Sequence, residues 1–304
     1  MSSATRTGGG DALSCVVCDT PLAAKICAWS LVCPACDTWR STLEPAIESE
    51  DLHQAIDTEA RVAGFKELRL GNNNHILDEI GKLRGLEGSR LLDVGSAHGW
   101  FIEEALRRGS HAEGIEPDET VRQDALAHGL QVRHGYFPSA LAPGEQFDVI
   151  AFNDVFEHIP DVDATLNACA ASLAPGGILS INIPSATGLG FRIARTLARL
   201  GLRGPYERLW QHNLPSPHLH YFTPASLQRF VEQHGLRVRR VVPLASIRRD
   251  GLWARVHTVS RPSPVSVLNF VALWLGATVL NRPKHSDIFL LLAARVDGAK
   301  LTTR

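Results

Sequence analysis

Short apolar runs and longer segments with helical spacing alternate through the middle of the chain. Each run has the length of a buried strand, and each intervening segment repeats its apolar residues every three or four positions. Apolar strands joined by helices are typical of a parallel sheet covered on both faces, so we predict an α/β, doubly wound, Rossmann-like fold. The predicted strands are Ser89–Gly95, Ala112–Glu116, Leu130–His134, Phe147–Asn153 and Ile178–Ile183, and the predicted helices are Glu48–Leu86, Trp100–Arg108, Asp118–His128 and Asp161–Leu173.

A helix with clear boundary signals and two more strands lie in the C-terminal part of the chain. Thr223 is a good N-terminal cap for the helix, and Gly235 ends it. Strands six and seven are predicted over Arg237–Leu244 and Ile288–Val296. The insert between them, about 247–286, is too long for a plain connection, so we expect it to contain helices.

The insert contains an uncharged apolar run. The 20 residues of Pro262–Asn281 carry no charge, and their core is Val265–Leu280. This core approaches the length that spans a bilayer of about 30 Å, but a true span would separate strand seven from its sheet, so we exclude it. A buried helix, a dimer face and an in-plane membrane contact remain open. A second candidate for such a contact is the helix predicted at Phe191–Leu200, which is apolar on one side and basic on the other.

Four cysteines near the start of the chain form two C-x2-C pairs separated by fourteen residues. Four sulfur ligands at this spacing suit tetrahedral Zn²⁺, so we predict a zinc ribbon over residues 13–45. Such a small unit needs the metal to fold, and four cysteine ligands leave no open coordination position, so the zinc is expected to be structural. Two disulfides are the alternative, disfavoured in a reducing compartment. The predicted ligands are Cys15, Cys18, Cys33 and Cys36, whereas Cys27 and Cys169 are expected to pack in cores.

Composition and charge narrow the class of protein. The 304 residues are 44% hydrophobic and 21% charged, which excludes collagen-like, coiled-coil and wholly disordered chains. No apolar segment resembling a signal peptide follows Met1, so we expect a disordered tail over 1–12 and a cytoplasmic protein. Residues 1–184 carry 13 Lys and Arg against 27 Asp and Glu, whereas residues 185–304 carry 18 against 5. The basic C-terminal part favours contact with a phosphate-bearing substrate, a membrane surface or RNA.

The turn after the first strand separates two classes of nucleotide-binding protein. A dinucleotide-binding fingerprint would need glycines at 95, 97 and 100. Ala97 and Trp100 occupy two of those positions, and a tryptophan at the third prevents close packing of helix against strand. An NAD(P) site is therefore excluded on steric grounds.

The same turn resembles the first motif of class I S-adenosylmethionine-dependent methyltransferases, and three further motifs follow in order. They are Leu91–Gly99, Gly114–Asp118, Phe147–Asp161 and Leu173–Leu179, within a resemblance that covers about residues 75–240. The departure is Ala97, where many members have glycine. The resemblance implies a seven-stranded methyltransferase sheet over residues 46–304, with the helical insert between strands six and seven.

The chemistry of the cofactor agrees with these residue types. Glycines at 95 and 99 let backbone pass beside the methionine moiety, Asp93 suits its ammonium group, and Glu116 can accept hydrogen bonds from the ribose hydroxyls. The resemblance implies a binding site for S-adenosylmethionine formed by Asp93, Gly95, Ser96, Gly99, Glu116, Pro117, Asn153 and Asp154.

Histidines after the fourth and fifth strands are candidates for the acceptor side. The run from Asp154 to Asp161 resembles the small-molecule O-methyltransferase branch, which includes ubiquinone-biosynthesis enzymes. A neutral imidazole can take the acceptor's proton at physiological pH, so His158 and His220 are the predicted bases, with catalysis by positioning alone as the alternative. His212 and His218 are interpreted as polar loop residues.

These observations predict an S-adenosylmethionine-dependent transfer of methyl to oxygen of a small-molecule, glycan or lipid-linked acceptor, with peripheral membrane contact as an option. An RNA base methyltransferase is the first alternative, since zinc ribbons also accompany such enzymes. Nucleic acid is disfavoured because aromatic and basic residues do not interleave as base stacking requires. A non-catalytic S-adenosylmethionine-binding module is the second alternative.

Overall fold

The computed structural model describes residues 13–45, 58–247, 249, 252–257 and 263–296. The predicted tail over 1–12 and residues 48–57 of the first predicted helix lie outside the described residues. Within the described part, the N-terminal segment forms three short strands, β1 (Ala23–Ala24), β2 (Ser30–Val32) and β3 (Trp39–Ser41).

A seven-stranded sheet forms the centre of the molecule, in the order β10-β11-β8-β7-β4-β5-β6. All neighbours are parallel except β11, which runs antiparallel between β10 and β8. The remaining strands are β4 (Arg90–Val94), β5 (His111–Glu116), β6 (Val132–His134), β7 (Phe147–Asn153), β8 (Leu173–Pro184), β9 (His220–Tyr221), β10 (Leu236–Leu244) and β11 (Ile288–Arg295).

Helices cover both faces of this sheet, as the continuously apolar strands predict. Buried cores lie on each side, one around Phe152 and Leu179 and the other around Leu91 and Ile102. The helices are α1 (Thr58–Gly81), α2 (Trp100–Arg107), α3 (Glu119–Ala127), α4 (Val162–Ser172), α5 (Leu189–Arg199), α6 (Gly204–Leu209), α7 (Pro224–Gln233), α8 (Leu252–His257) and α9 (Pro264–Leu280), with 3-10 turns at Phe156–His158 and Pro283–His285.

The predicted fold class is confirmed, and so is a helical insert between the sixth and seventh strands of the sheet, which contains α8 and α9. The largest error in a predicted strand boundary is at the start of β8. Strand β8 begins at Leu173 instead of Ile178, because Leu173 already pairs with Phe147 before a register shift in β7. Pro175–Gly177 therefore lie within the strand and do not form a separate turn.

The N-terminal strands join the main body of the protein through a distant segment. They form a four-stranded sheet in the order β1-β2-β3-β9. Strand β3 pairs with β9 through Trp39 opposite Tyr221 and Arg40 opposite His220. The cysteine-bearing segment is thus packed onto the segment that follows the fifth strand of the large sheet.

No helix among the described residues combines the length and the apolar character needed to cross a membrane.

Candidate active site

The loop after β4 makes a tight, left-handed turn into α2. Gly95 has a φ of +70°, Ala97 of +45° and Gly99 of +76°. A Cβ at Gly95 would lie 2.6 Å from Val155 Cγ2, so only glycine lets the loop approach the segment after β7 this closely. The loop therefore lies at the carboxyl edge of the sheet, where ligands of doubly wound folds bind.

Glu116, the last residue of β5, holds this loop in place. Its carboxylate accepts hydrogen bonds from the amide of Ala97 (Oε2, 2.9 Å) and the amide of Asp118 (Oε1, 2.9 Å). The side chain is buried, and burial raises the pKa of its carboxyl, opposed by those two amides. Each oxygen keeps further lone-pair capacity for a ligand hydroxyl. Pro117 follows directly, and its carbonyl oxygen lies 3.1 Å from His134 Nε2.

Asp93 and Asn153 form a pair across neighbouring strands at the same edge. Asn153 Nδ2 donates to Asp93 Oδ1 at 3.0 Å, and the Asp93 side chain is only 2% exposed. Burial raises the pKa of Asp93 to about 7, with a further contribution from the charge of Glu116. A nearby positive charge favours the ionised form of a buried carboxyl, so this side chain is well suited to bind a cationic ligand group.

Several buried polar atoms in the described part of the chain have no hydrogen-bond partner, and Ser96 Oγ and Asn153 Oδ1 are two of those at this edge. Buried polar groups are normally paired, so such atoms beside two buried carboxylates indicate a place where ligand atoms bind. The residues present thus fit S-adenosylmethionine, which carries an ammonium group and ribose hydroxyls.

Sequence reasoning missed the reason for Gly114, in the middle of β5. A Cβ there would lie 2.4 Å from Ser96 Oγ and 2.7 Å from Ile102 Cδ1. The missing side chain therefore makes room for the loop after β4. A glycine inside an otherwise apolar strand is the sequence signal for such a close approach.

Asp154 follows β7 with a φ of +55°, and its amide donates to Asn182 O at 3.0 Å. Arg69 on α1 reaches this carboxylate, with Nε 3.9 Å from Asp154 Oδ2. Sequence reasoning did not find Arg69, because α1 precedes the motifs and its contact with β7 arises only from tertiary packing.

His158, one residue after the buried Glu157, faces the loop that precedes β9. Its Nδ1 lies 2.9 Å from the carbonyl oxygen of Pro217 and 3.1 Å from Ser216 Oγ. A carbonyl can only accept, so Nδ1 carries the proton and the lone pair of the neutral ring is on Nε2. This is the tautomer that a general base at Nε2 requires.

His218 lies against His158, with ring centroids 4.7 Å apart, but its two nitrogens are committed to other partners. Tyr221 Oη donates to Leu209 O at 2.9 Å, so it accepts from His218 Nδ1 at 3.1 Å. The Gln211 amide then donates to His218 Nε2 at 2.9 Å. Burial, followed by the charge of His158, holds the pKa of His218 well below its usual range, so this ring stays neutral.

His220, the other predicted base, lies in the short strand β9. Its side chain is 1% exposed and stacks on Phe222. Burial, followed by the charge of Arg40, lowers the pKa of His220 to about 4. A weakly basic ring enclosed by protein is poorly placed to take a proton from an acceptor.

The four predicted metal ligands meet as a cluster. Their sulfur atoms all lie within 4.8 Å of one another, and three of the separations are 3.4, 3.5 and 3.7 Å. Four ligands about 2.3 Å from a tetrahedral zinc would be about 3.8 Å apart, whereas a disulfide needs about 2.05 Å. All six cysteines are free thiols, so the disulfide alternative is wrong, and the cluster fits a zinc ribbon.

The two cysteine pairs sit in matching turns, a repeat that sequence reasoning overlooked. Each pair is followed by Asp and Thr, as Asp19-Thr20 and Asp37-Thr38. Both aspartates are left-handed, with φ values of +58° and +55°. The first amide of each pair donates to the threonine carbonyl, Cys15 to Thr20 at 2.9 Å and Cys33 to Thr38 at 2.8 Å. This repeat forms two similar knuckles that face each other.

The cysteine-bearing segment also contacts the segment around His218, which lies next to His158. Ser41 donates its hydroxyl to the carbonyl oxygen of His218 at 2.8 Å and its amide to that of Leu219 at 2.9 Å. Trp29 and Trp39 pack against the aromatic residues of α5, α6 and β9. The position of His218 therefore depends on a segment more than 170 residues earlier in the chain.

Comparisons with known proteins agree with this geometry. A family model described as a methyltransferase domain matches residues 65–241. The ubiquinone biosynthesis O-methyltransferase of Aeromonas salmonicida is 31% identical over 169 residues, which are 52% of this chain and 67% of that protein. The human mitochondrial ubiquinone biosynthesis O-methyltransferase is 26% identical over 219 residues, 67% of this chain and 55% of that protein.

Solved structures share the fold at low sequence identity. The complex of the Haloferax volcanii Trm112 methyltransferase activator with a methyltransferase matches with a TM-score of 0.57 and 17% identity, over 82% of this chain and 98% of that one. The phosphoethanolamine N-methyltransferase 2 of Haemonchus contortus, in complex with S-adenosyl-L-methionine, matches with a TM-score of 0.53 and 16% identity, over 84% of this chain and 60% of that one.

Proposed function

The chain belongs to the class I S-adenosylmethionine-dependent methyltransferase family, and from this premise we propose that it methylates an oxygen atom of a small hydroxylated acceptor. The two relatives found by sequence and named above are ubiquinone biosynthesis O-methyltransferases. The observation that carries the proposal is the hydrogen bond between His158 Nδ1 and the Pro217 carbonyl, which holds this ring, just after β7, in the tautomer that a general base at Nε2 requires.

Residues at the ends of β4, β5 and β7 would hold the cofactor. Glu116 would accept the ribose hydroxyls, Asp93 would face the ammonium group, and Ser96 Oγ and Asn153 Oδ1 would gain the partners they lack. The glycines at 95 and 99 would let the backbone contact the methionine moiety. When bound, S-adenosylmethionine supplies an electrophilic methyl group on a sulfonium.

His158 would activate the acceptor. A hydroxyl oxygen is a poor nucleophile while it keeps its proton, and Nε2 of His158 would accept that proton as the oxygen attacks. The Pro217 carbonyl holds the ring in the required tautomer. His218 would act as a positioning residue, since its hydrogen bonds to Tyr221 and Gln211 occupy both ring nitrogens. His220 is left out of this role by its burial.

A structural zinc bound by the four clustered cysteines would support the acceptor side. The chain would then consist of a zinc ribbon at 13–45 and a methyltransferase domain at 46–304. Because β3 pairs with β9 and Ser41 binds the His218 carbonyl, the ribbon would fix the loop that covers the acceptor. Small molecules, glycans and lipid-linked alcohols or phenols are the acceptor classes proposed.

The experiment measures transfer of a radiolabelled methyl group to a panel of phenols, catechols and sugars. His158→Ala should lower kcat about 100-fold, and its kcat should recover as rising pH ionises a phenolic acceptor. The affinity for S-adenosylhomocysteine should stay at the wild-type value. The matched control is His128→Ala, a substitution of the exposed residue that follows α3, which should leave kcat unchanged.

Two outcomes would contradict the proposal. A near-normal kcat for His158→Ala across pH 6 to 9 would mean that catalysis needs no base from this residue. Methyl transfer to nitrogen acceptors with none to oxygen would reject the acceptor class.

A further inference from the structure

Helix α9 in the insert exposes an apolar stripe. The helix has 17 residues and none is charged. One side packs inward, with Ser266 and Ala277 buried and Phe270 and Leu273 against the core of the insert. The opposite side, here called the α9 face, consists of Val267, Leu268, Val271, Trp274 and Leu275, which are 38% to 68% exposed.

The α9 face is a continuous surface. Its members are spaced by one, three, three and one positions, which places them in one stripe along the helix. Trp253 on α8 is 47% exposed and packs edge-on against Phe270 of α9 at 5.1 Å, so a second exposed tryptophan contacts the same helix. An apolar stripe of this kind on a surface helix indicates an interaction site.

Positive charges lie beside the stripe and after its C-terminal end. The Arg249 guanidinium lies 4.6 Å over the Trp274 ring and donates to Thr278 Oγ1 at 3.0 Å. Arg282 and Lys284 follow the helix and are exposed. Residues 245–286 carry six Lys and Arg but only one acidic residue, Asp250. The surface therefore combines an apolar stripe, two tryptophans and a basic border.

The insert emerges beside the active site. Strand β10 runs parallel to β8, because both pair antiparallel with β11, so β10 ends at the carboxyl edge of the sheet. Asn72 on α1 donates to Ala245 O at 3.0 Å, just after β10. One turn earlier on α1, Arg69 reaches Asp154. The insert and the candidate active site thus share one edge of the sheet.

We propose that the α9 face docks on an anionic lipid bilayer, with the helix lying in the plane of the membrane interface. Apolar residues, interfacial tryptophans and flanking cations are the features by which such helices bind anionic membranes. The helix is about 25 Å long, shorter than the hydrocarbon core, so it lies along the surface. A second copy of the chain would bring like charges together around the stripe, which disfavours a symmetric dimer.

This binding property does not depend on methyl transfer. Flotation with phosphatidylcholine vesicles, with and without phosphatidylglycerol, measures it directly on the full chain. The protein should float with the anionic vesicles at low salt, and less of it should float as salt rises. Leu268→Ser combined with Leu275→Ser should lower the partition coefficient about tenfold or more. Arg282→Gln combined with Lys284→Gln should lower it about tenfold and remove the preference for anionic lipid.

The control is Leu106→Ser at the C-terminal end of α2, which replaces an equally apolar side chain that is 42% exposed and lies outside the insert. The partition coefficient of this variant should match that of the wild type. Thermal melting and S-adenosylhomocysteine affinity check that each variant is folded. The proposal is overturned if no protein floats at any ionic strength, or if the leucine double variant floats like the wild type. A stable dimer in sedimentation that the leucine variant dissociates, without vesicle binding, would identify a second copy as the occupant and would equally overturn it.

Discussion

Replacing Asp93 by asparagine should stabilise the ligand-free protein while weakening its binding of cofactor. Burial raises the pKa of Asp93 from 3.8 to about 7, so the folded protein favours the protonated carboxyl. The free energy of unfolding therefore falls as pH rises from about 4 to 7, because Asp93 ionises in the unfolded chain over this range but keeps its proton in the folded protein. At 1.36 kcal/mol per pH unit, the total loss is about 4 kcal/mol.

Asparagine removes this loss without removing the hydrogen bond. Its side-chain oxygen can still accept from Asn153 Nδ2, which bonds Asp93 Oδ1 at 3.0 Å in the wild type. At pH 8 the Asp93→Asn variant should be more stable than the wild type by up to about 4 kcal/mol, and at pH 4 the two should be nearly equal. Loss of the carboxylate should weaken binding of S-adenosylhomocysteine about 10- to 100-fold at pH 8.

Urea unfolding of the ligand-free proteins at several pH values measures the first effect, and titration calorimetry measures the second. Asp78→Asn is the control, because Asp78 is an exposed carboxylate paired with Arg108 at the surface and should change stability little at any pH. Parallel stability curves for wild type and Asp93→Asn would refute the reasoning. So would unchanged ligand affinity in the more stable variant.

Three other changes test the cofactor loop and the cysteine cluster. Glu116→Ala should weaken S-adenosylhomocysteine binding by about 2–4 kcal/mol in calorimetry, since ribose hydroxyls lose a charged acceptor; unchanged affinity would remove Glu116 from the site. Gly114→Ala should lower the free energy of unfolding in urea by about 1–3 kcal/mol and weaken binding of the same ligand, because the added Cβ would meet Ser96. Its control is Gly81→Ala, whose Cβ would meet nothing within 4 Å, so this variant should be as stable as the wild type or more stable. Elemental analysis of protein purified under reducing conditions should find one zinc per chain in the wild type and none in Cys15→Ser. This variant should have a higher KM for the acceptor and an unchanged affinity for the cofactor. Wild-type protein without metal would contradict the zinc ribbon.

Local features of the sequence were enough to predict the order of strands and helices. Apolar runs, capping residues and glycine turns act within a few positions, so they can be read without knowing what packs against them. The acid at the end of β5 and the paired cysteines were found in the same way. The seven-stranded sheet, the helical insert and the clustering of Cys15, Cys18, Cys33 and Cys36 all followed from such signals.

Contacts between distant segments were decided only by the tertiary structure. From the sequence, His158 and His220 were equally good candidates for the base. In the structure, the pairing of β9 with β3 buries His220, whereas the Pro217 carbonyl determines the tautomer of His158. The apolar run of the insert left three options open, because helical spacing alone cannot tell which side of an all-apolar helix meets protein. Packing of α9 on the insert core settled which residues are exposed. Burial, tautomer and pKa depend on neighbours brought together by folding, and no local pattern encodes them.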